Sequence, residues 1–438
     1  MTAAVGGHLP GGGQAEQRCP FGQQICALHA GERIPVQQIA DCHQRAAGTR
    51  RQYFRCRGLS LNSPPPVQRK KQLAGPVAAA VTAAFAGMVA CGIIFAAGSA
   101  FHGTSILARM TRFLSPRALS ALLSSPLLAE QTSVVRPDGD TCLIVDLQSG
   151  DLSCLEGLEP AGCPVIGFSP SRAGEIPGVV DVLATTEAEL ELLQAAASRS
   201  PRAATVLMQV LRHNETASVA DGLLAESLAY SALQHGAEFQ RWLQGRSSPS
   251  GGTGSDAEDP VLIVRDDNGL TLTLNRPEKH NAYSAAMRDA LVGALHVPLT
   301  DPTLSRVTLR GAGASFCAGG DLDEFGDARD GAEAHLARTV RSAGALLHRL
   351  ASRTICELHG ACIGAGVELP AFAGRIVARE GSFFQLPEVS MGLIPGAGGT
   401  VSVVKRVGRH RAAYMALSGQ RFDCAVAASW GLVDEVVA

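Results

Sequence analysis

The sequence HGACIGAGVELPAFAGRIVAREGSFFQLPEVSMGLIPGAGGT, residues 359–400, decides the fold that we predict for this chain. It places a glycine-rich turn at 364–366 directly before Glu368 and an apolar, helix-like run, and Glu388 follows twenty positions later. Such a turn can leave backbone N–H groups without helical partners, aimed at an approaching negative charge. Two carboxylates beside these donors are suited to general acid–base chemistry on a carbonyl compound.

Length and composition bound the class of protein. With 438 residues the chain exceeds one usual core, so two domains, or one domain with extensions, are expected. The 38 basic and 40 acidic residues give a net charge of −2, so no global basic field points to nucleic acid. The twelve cysteines form no CxxC pair, which favours neither a zinc site nor a disulfide framework, and we expect reduced cysteines in a cytoplasmic protein.

The first region, residues 1–116, is predicted to be a disordered leader with an apolar segment at 73–101. Residues 1–72 are rich in Gly, Pro, Gln and Arg, show no period of 2 or 3.6, and lack the Cys and His spacing of a metal site. The apolar segment follows three basic residues and is long enough to cross a bilayer. A membrane anchor, a buried helix and an upstream extension before a working start near Met110 are the alternatives, and membrane contact is not favoured.

The second region, residues 117–246, is predicted to be a small α/β and helical region. Apolar runs bounded by turn residues indicate strands at 142–147 and 163–168. Apolar residues at i, i+3 and i+4 predict helices near 186–198, 201–213 and 217–243. Residues 247–260, rich in Ser, Gly and Asp, are predicted to be a flexible linker.

The last region, residues 261–438, alternates strands, turns and helices. It begins with a predicted hairpin around the turn 266–269, and a helix capped by Ser284 follows. A long helix is predicted from Ala332 to Leu350, and strands then lead into the turn 364–366 and the Glu388 loop.

This region resembles the crotonase (enoyl-CoA hydratase/isomerase) superfamily through several motifs in combination. They are NRPEKHNA (275–282), SFCAGGDLDEF (315–325), the glycine turn before Glu368, LPE at 386–388 and GAGGT at 396–400. The resemblance implies an α/β fold, the crotonase-like β-β-α superhelix, for the catalytic core 261–438. The N-terminal helical and α/β region and the leader are expected to precede it.

The resemblance also implies roles for single residues. Gly320 and Ala365 fall where the two oxyanion-hole N–H groups belong, and their backbone nitrogens would bind a thioester oxygen. Glu368 and Glu388 fall on the two catalytic glutamates of true hydratases. The residues expected to contact CoA or its acyl group are Arg276, Lys279, His280, Ala282, Ala318, Asp321 and Leu322. Apolar neighbours would desolvate a carboxylate and favour its neutral form, as a general acid requires.

The expected function is therefore that of an enoyl-CoA hydratase, which adds water to a 2,3-enoyl-CoA through a stabilised enolate. The substrate is a CoA thioester, no further cofactor or metal is expected, and the resemblance implies a trimeric or hexameric homo-oligomer without nucleic acid. The alternatives are an enoyl-CoA isomerase, a cofactor-free arylacetyl-CoA dioxygenase of the same fold, and a non-catalytic partner subunit.

A second resemblance concerns the end of the chain. Relatives continue after a stretch such as GLVDEVV (431–437) with closing helices, whereas this chain ends at Ala438. GVVDVL (178–183) echoes that stretch, and the helical patterns after it are similar to the closing helices of the family. We therefore predict that residues 178–246 pack against the core as those helices.

Overall fold

A computed structural model of the protein describes residues 113–125, 141–171, 175–246, 259–328 and 330–438. Residues 1–112 of the predicted leader, with its apolar segment, and most of the predicted linker lie outside these ranges. Within them, no helix combines the length and the apolar character that crossing a bilayer requires.

The helices of the described ranges are α1 Pro116–Leu123, α2 Glu187–Arg199, α3 Pro201–Thr216, α4 Val219–Gln234, α5 Ala237–Gln244, α6 Ala285–Thr300, α7 Gly331–Val340, α8 Ala343–Arg349, α9 Ala365–Glu368, α10 Gly399–Val407, α11 Arg409–Ser418 and α12 Cys424–Trp430. The strands are β1 Leu143–Asp146, β2 Val165–Phe168, β3 Val182–Ala184, β4 Val261–Arg265, β5 Gly269–Leu274, β6 Arg306–Gly311, β7 Thr354–Leu358, β8 Ala361–Ile363, β9 Arg375–Arg379, β10 Phe383–Gln385, β11 Phe422–Asp423 and β12 Glu435–Val437.

The largest sheet runs β12-β9-β7-β6-β5-β4. The predicted hairpin is confirmed as its antiparallel β4–β5 pair, and every other neighbouring pair is parallel. Leu270, Leu272 and Leu274 of β5 are buried, as alternation along a half-buried strand predicts. A small sheet of β11-β10-β8 lies beside the glycine turn at 364–366, because β8 leads directly into residue 364.

Two long predicted helices are wrong, because each is divided. The expected helix 332–350 is α7 and α8, and Ser342 between them accepts the N–H of Ala345 at 3.2 Å as a new N-cap. The expected helix 217–243 is α4 and α5, separated at His235 and Gly236. In both cases apolar spacing continued across the break, so the period alone did not reveal it.

The helices before the core contact it directly. Helices α3 and α4 lie against α10, and one hydrophobic core includes buried residues of both regions. The side-chain amide of Asn214 on α3 donates to the Thr400 hydroxyl at 2.9 Å and to its carbonyl at 3.1 Å. These hydrogen bonds join α3 to the first turn of α10.

The two similar stretches at 178–183 and 431–437 form the same local contacts. Asp181 accepts the N–H of Val165 at 2.8 Å, and Asp434 accepts the N–H of Ile376 at 2.6 Å. Each aspartate also forms an ion pair with an arginine, Asp181 with Arg212 and Asp434 with Arg406. Each stretch runs into a strand that joins its neighbour in parallel, β3 at Val182 and β12 at Glu435, so the sequence echo corresponds to a repeated strand junction.

Candidate active site

A cavity of about 340 Å³ lies at the start of α9, where the glycine turn meets the loop after β6. Its wall includes Gly320, Ala365, Glu368 and Glu388, so the structure brings together the four residues predicted to do the chemistry. The predicted substrate-binding residue Asp321 also borders this cavity.

The turn before α9 requires glycine at position 364. Gly364 has φ 50° and ψ −117°, a backbone conformation that side chains disfavour. A Cβ atom there would lie 2.6 Å from Oε1 of Glu388. Ala365 is the first residue of α9, and its N–H has no acceptor within the described part of the chain. This donor is therefore available to a ligand in the cavity.

The loop at 317–321 provides a second free N–H. The N–H of Tyr283 donates to the Gly319 carbonyl at 2.7 Å, and the Tyr283 carbonyl accepts the N–H of Asp321 at 3.1 Å. These two hydrogen bonds flank Gly320 and do not involve its own N–H. That N–H has no acceptor among the residues that the structure describes. Cys317 fixes this loop beside the turn, because its carbonyl accepts the N–H of Ile363 at 3.0 Å.

Glu368 is held rigidly, with 2% of its surface exposed. Its Oε2 accepts the N–H groups of Ala397 at 2.7 Å and Gly399 at 2.9 Å. Burial raises the pKa of Glu368 to about 7, and the hydrogen bonds from these amides oppose that shift. The carboxyl group is thus close to half ionised near neutral pH.

Glu388 begins the 3₁₀ turn Glu388–Met391 and has a different environment. Its Oε2 is buried and has no hydrogen-bond partner in the described residues. Burial raises the pKa of Glu388 well above its ordinary value, and the nearby charge of Glu368 adds to the shift. Its surroundings therefore favour the protonated form of Glu388.

The two carboxyl groups face one another across the glycine turn. The point that a Cβ of Gly364 would occupy lies 2.6 Å from Oε1 of Glu388 and 3.9 Å from Oε1 of Glu368. The two oxygens are therefore no more than about 6.5 Å apart. A small group placed between them can contact both.

The charged side chains of the loop predicted to bind CoA form ion pairs with nearby aspartates. Arg276 is only 3% exposed, and its Nη1 lies 2.8 Å from the Asp321 carboxylate. Lys279 pairs with Asp323 at 3.0 Å and lies 3.5 Å from Asp321. His280 is exposed, and its Nδ1 lies 3.2 Å from the Ser315 hydroxyl. Arg276 therefore serves to anchor this loop, and the partly exposed Lys279 and the exposed His280 are the basic side chains that an incoming phosphate can reach.

The other predicted contact residues lie along the same edge. Ala318 donates its N–H to the His280 carbonyl at 3.0 Å, and the Ala282 carbonyl accepts from Arg276 at 3.0 Å. Leu322 is 42% exposed, so an apolar surface is open to a ligand beside Asp321. These residues join the loops 276–282 and 318–322 into one surface next to the cavity.

Comparison with known proteins gives the family. Residues 266–438 match the enoyl-CoA hydratase/isomerase family. The chain is 36% identical over 180 residues to the 2,3-dehydroadipyl-CoA hydratase of Escherichia coli, covering 40% of this chain and 68% of that protein. The chain belongs to the enoyl-CoA hydratase/isomerase family.

Other members of the family show similar coverage. The mevalonyl-coenzyme A hydratase sidH of Aspergillus fumigatus is 38% identical over 168 residues, 38% of this chain and 62% of its own length. The 1,2-epoxyphenylacetyl-CoA isomerase of Escherichia coli is 35% identical over 172 residues, 38% of this chain and 66% of its own length. The crystal structure of an enoyl-CoA hydratase from Mycobacterium smegmatis has 35% identity and a TM-score of 0.38, covering 41% of this chain and 70% of that one. The chain thus spans about two thirds of the length of these family members.

One residue that sequence reasoning missed is Glu226 on α4. Its carboxylate is buried and accepts the N–H groups of Gly398 at 2.7 Å and Thr400 at 2.9 Å. Glu368 accepts the alternate N–H groups of the same loop, those of Ala397 and Gly399. The carboxylates of Glu226 and Glu368 therefore accept hydrogen bonds from four successive backbone amides, those of residues 397–400. Burial raises the pKa of Glu226 to about 8, with Glu368 contributing.

A second missed residue is Tyr230, one turn further along α4. Tyr230 borders the same cavity as Glu368 and Glu388. Its ring would lie 2.4 Å from a Cβ at Gly396, which explains the glycine there. Burial raises the pKa of the Tyr230 phenol well above its ordinary value, so the hydroxyl stays protonated at neutral pH. No local motif marked these residues, because the period of α4 predicts a helix but not what it covers.

Proposed function

We propose that this chain is an enoyl-CoA hydratase, which adds water across the 2,3-double bond of an enoyl-CoA thioester. The observation that carries the proposal is the arrangement of one cavity wall. Two free N–H groups, of Gly320 and Ala365, border the same space as two carboxyl groups. Glu368 is buried, and Oε2 of Glu388 is buried. The named hydratases among its relatives support the assignment.

The two N–H groups are suited to a thioester oxygen. Attack at Cβ moves the π electrons of the double bond toward that oxygen, which becomes an enolate. Donors that gain strength as this charge develops stabilise the transition state more than the substrate. Because both donors belong to the backbone, the side chain of Ala365 has no part in this contact.

The environments of the two carboxyl groups separate their roles. Glu368 receives two amide hydrogen bonds that favour its ionised form, so it is assigned as the base that takes a proton from water. Glu388 has a buried oxygen without a partner and a raised pKa, so it is assigned as the acid. The water oxygen bonds to Cβ, its proton goes to Glu368, and Glu388 gives its proton to Cα as the enolate collapses. Proton exchange between the two groups, directly or through water, restores the starting state.

Glutamine substitutions test this assignment. We expect Glu368→Gln and Glu388→Gln each to lower kcat for hydration of a 2-enoyl-CoA by about 100-fold or more, because general acid–base groups contribute that much. The loss of enoyl-thioester absorbance measures the rate. Glu380→Gln, at an exposed glutamate of the same core, is the matched control and should remain within about twofold of the parent. Full hydration by Glu388→Gln beside an inactive Glu368→Gln would refute the hydratase assignment.

Isomerisation of an enoyl-CoA is the second candidate, and the match to the enoyl-CoA hydratase/isomerase family is the observation that favours it. An isomerase needs only one group that moves a proton between two carbons, so a single glutamate would suffice. The same variants therefore separate the two reactions. Oxygen uptake with an arylacetyl-CoA tests the dioxygenase alternative, and calorimetry with acetoacetyl-CoA tests whether the chain is a non-catalytic partner.

The proposed reaction consists of proton transfers and one addition, so it requires no cofactor beyond the CoA of the substrate. A cytoplasmic, reducing location is proposed with it, because no disulfide joins the cysteines that the structure describes. The homo-oligomer stays a prediction. Exposed apolar side chains on α4 and α7, those of Leu224, Leu228, Leu336 and Val340, support it.

A further inference from the structure

Arg338 of α7 lies between the catalytic cavity and a second, mostly apolar cavity of about 430 Å³. It borders both spaces. Their common wall is formed by Tyr283, Arg288, Arg338, Gly396 and Ala397. An acyl chain attached to a thioester near Glu368 can therefore continue past Arg338 into the second cavity.

The guanidinium of Arg338 has only neutral partners. It donates from Nε to the Ser227 hydroxyl at 3.3 Å and from Nη1 to the Gln234 side chain at 3.1 Å, and Nη2 donates to the Ser231 hydroxyl. Its Cζ lies 4.7 Å from the centre of the Tyr230 ring. Within the described ranges no carboxylate forms an ion pair with it.

The position of Arg338 among neutral groups disfavours the positive charge of its guanidinium. Arg338 is half-buried, and burial lowers its pKa. A guanidinium has five N–H donors, and the three contacts leave one on each terminal nitrogen without an acceptor in the described residues. An anion arriving from the cavity would meet both the charge and these donors.

The other charges around the second cavity leave it positive. Arg288 pairs only with its exposed neighbour Asp289, and Arg341 forms no ion pair in the described part of the chain. Against these cations stand Glu226, whose two oxygens are occupied by the loop amides, and Asp221, which accepts from the Ser218 hydroxyl at 2.7 Å. Neither acidic group forms an ion pair with these arginines in the described residues, although the nearby charge of Glu226 acts on Arg338.

We propose that the acyl group of the substrate ends in a carboxylate, which binds Arg338 in the second cavity. The inference rests on the proposed function, because it places the thioester at Gly320 and Ala365. The preferred substrate is then a 2,3-enoyl-CoA derived from a dicarboxylic acid. The apolar lining accommodates the methylene chain, and the guanidinium selects the charged end over a methyl end.

The experiment compares two trans-2-enoyl-CoA thioesters of the same chain length, one ending in a carboxylate and one in a methyl group. For the full-length protein we expect kcat/KM to favour the carboxylate substrate by at least about tenfold. Arg338→Gln should lower kcat/KM for that substrate by about 100-fold, chiefly through KM, and change the methyl substrate by less than about threefold. Arg338→Lys keeps the charge and should lie between the parent and the glutamine variant.

Arg349→Gln, at an exposed arginine on α8, is the control and should leave both substrates unchanged. The methyl substrate shows in the same assay that Arg338→Gln remains folded. Equal or better hydration of the methyl substrate by the parent, or an equal loss of both substrates in Arg338→Gln, would overturn the inference.

Calorimetry with the two saturated acyl-CoA analogues separates this inference from the proposed reaction. Tighter binding of the carboxylate analogue that disappears in Arg338→Gln would support the anion site even if no hydration occurred. In that case only the proposed reaction would fail. Equal binding of the two analogues would refute the site whatever the catalytic result.

Discussion

Replacing Glu226 by glutamine is expected to leave the pKa of Glu368 nearly unchanged. The charge of Glu368 helps to raise the pKa of Glu226 to about 8, so Glu226 keeps its proton while Glu368, with a pKa of about 7, ionises. Oε2 of Glu226 lies 2.9 Å from the nitrogen of Thr400, and Oε2 of Glu368 lies 2.9 Å from the nitrogen of Gly399. Successive backbone nitrogens are no further apart than one Cα step of about 3.8 Å, so the carboxylates lie within about 10 Å of each other. At an effective dielectric constant of about 20 the repulsion between two ionised carboxylates at that distance would be about 1.7 kcal/mol, or roughly one pKa unit, and this is the shift of Glu368 that would follow if Glu226 ionised first.

The same substitution should reduce stability. Glu226 accepts from the Gly398 N–H at 2.7 Å, the Thr400 N–H at 2.9 Å and the Thr400 hydroxyl at 2.7 Å. A glutamine has a single acceptor oxygen, so one buried loop amide loses its partner at a cost of about 1–3 kcal/mol.

The sign of the pH dependence follows from the raised pKa. The folded pKa of Glu226 is about 8 against an ordinary value of 4.5, so its favourable contribution is complete below pH 4.5 and is lost as pH rises through about 8. The free energy of unfolding of the parent should therefore fall between these pH values. In Glu226→Gln this fall should be smaller, so the two proteins should differ most at the acidic end.

The assay is the pH profile of kcat/KM for enoyl-CoA hydration, with denaturant unfolding at each pH. The acidic limb reports ionisation of the base and should stay within about half a unit of the parent in Glu226→Gln, because the replaced side chain is neutral in that pH range. Glu238→Gln is the control, because the buried Glu238 binds the first amides of α3, those of Arg202 and Ala203, instead of the catalytic loop. Glu238→Gln should lower the free energy of unfolding without moving the acidic limb of the pH profile. A limb that moves down by about one unit in a folded Glu226→Gln variant would refute this order of ionisation.

Two further predictions concern the turn and the region before the core. Gly364→Ala should lower kcat at least tenfold, because its φ of 50° adds about 1–2 kcal/mol of strain and its Cβ would lie 2.6 Å from the Glu388 carboxylate. Gly381→Ala has φ 82° but no atom within 4 Å of its Cβ, so it should lose similar stability and keep its activity; equal activity of the two variants would contradict the steric argument. Residues 261–438 produced alone should aggregate or fail to bind acetoacetyl-CoA in calorimetry, because they lack the helices that contact α10, whereas residues 110–438 should bind it. A soluble and fully active shorter polypeptide would show that the preceding region is a separate module.

Local signals predicted much of the core correctly. The β4–β5 hairpin followed from alternation on either side of a turn, and Ser284 caps α6 by accepting the Met287 N–H at 3.2 Å. The raised pKa values of Glu368 and Glu388 agree with the apolar residues that surround them in the sequence. These features depend on residues close together in the chain, so the sequence contains most of their cause.

Other features depended on contacts that no window of sequence contains. The breaks at 235–236 and 341–342 lie within continuous apolar patterns, so the period did not place them. Arg276 resembled a phosphate ligand in its motif, but the fold places it against Asp321, 45 positions later, and that pairing uses its charge.

The sequence by itself determined the family motifs, the glycine turn and the two glutamates, because each is defined by residue types at short spacing. Only the tertiary structure decided that Glu226, 172 positions before Gly398, shares a loop with Glu368, and that Arg338 faces a cavity without a carboxylate partner in the described residues. Burial and electrostatic coupling arise from whatever surrounds a group in space. Helical periodicity specifies which face of α4 is buried but not which loop that face will meet.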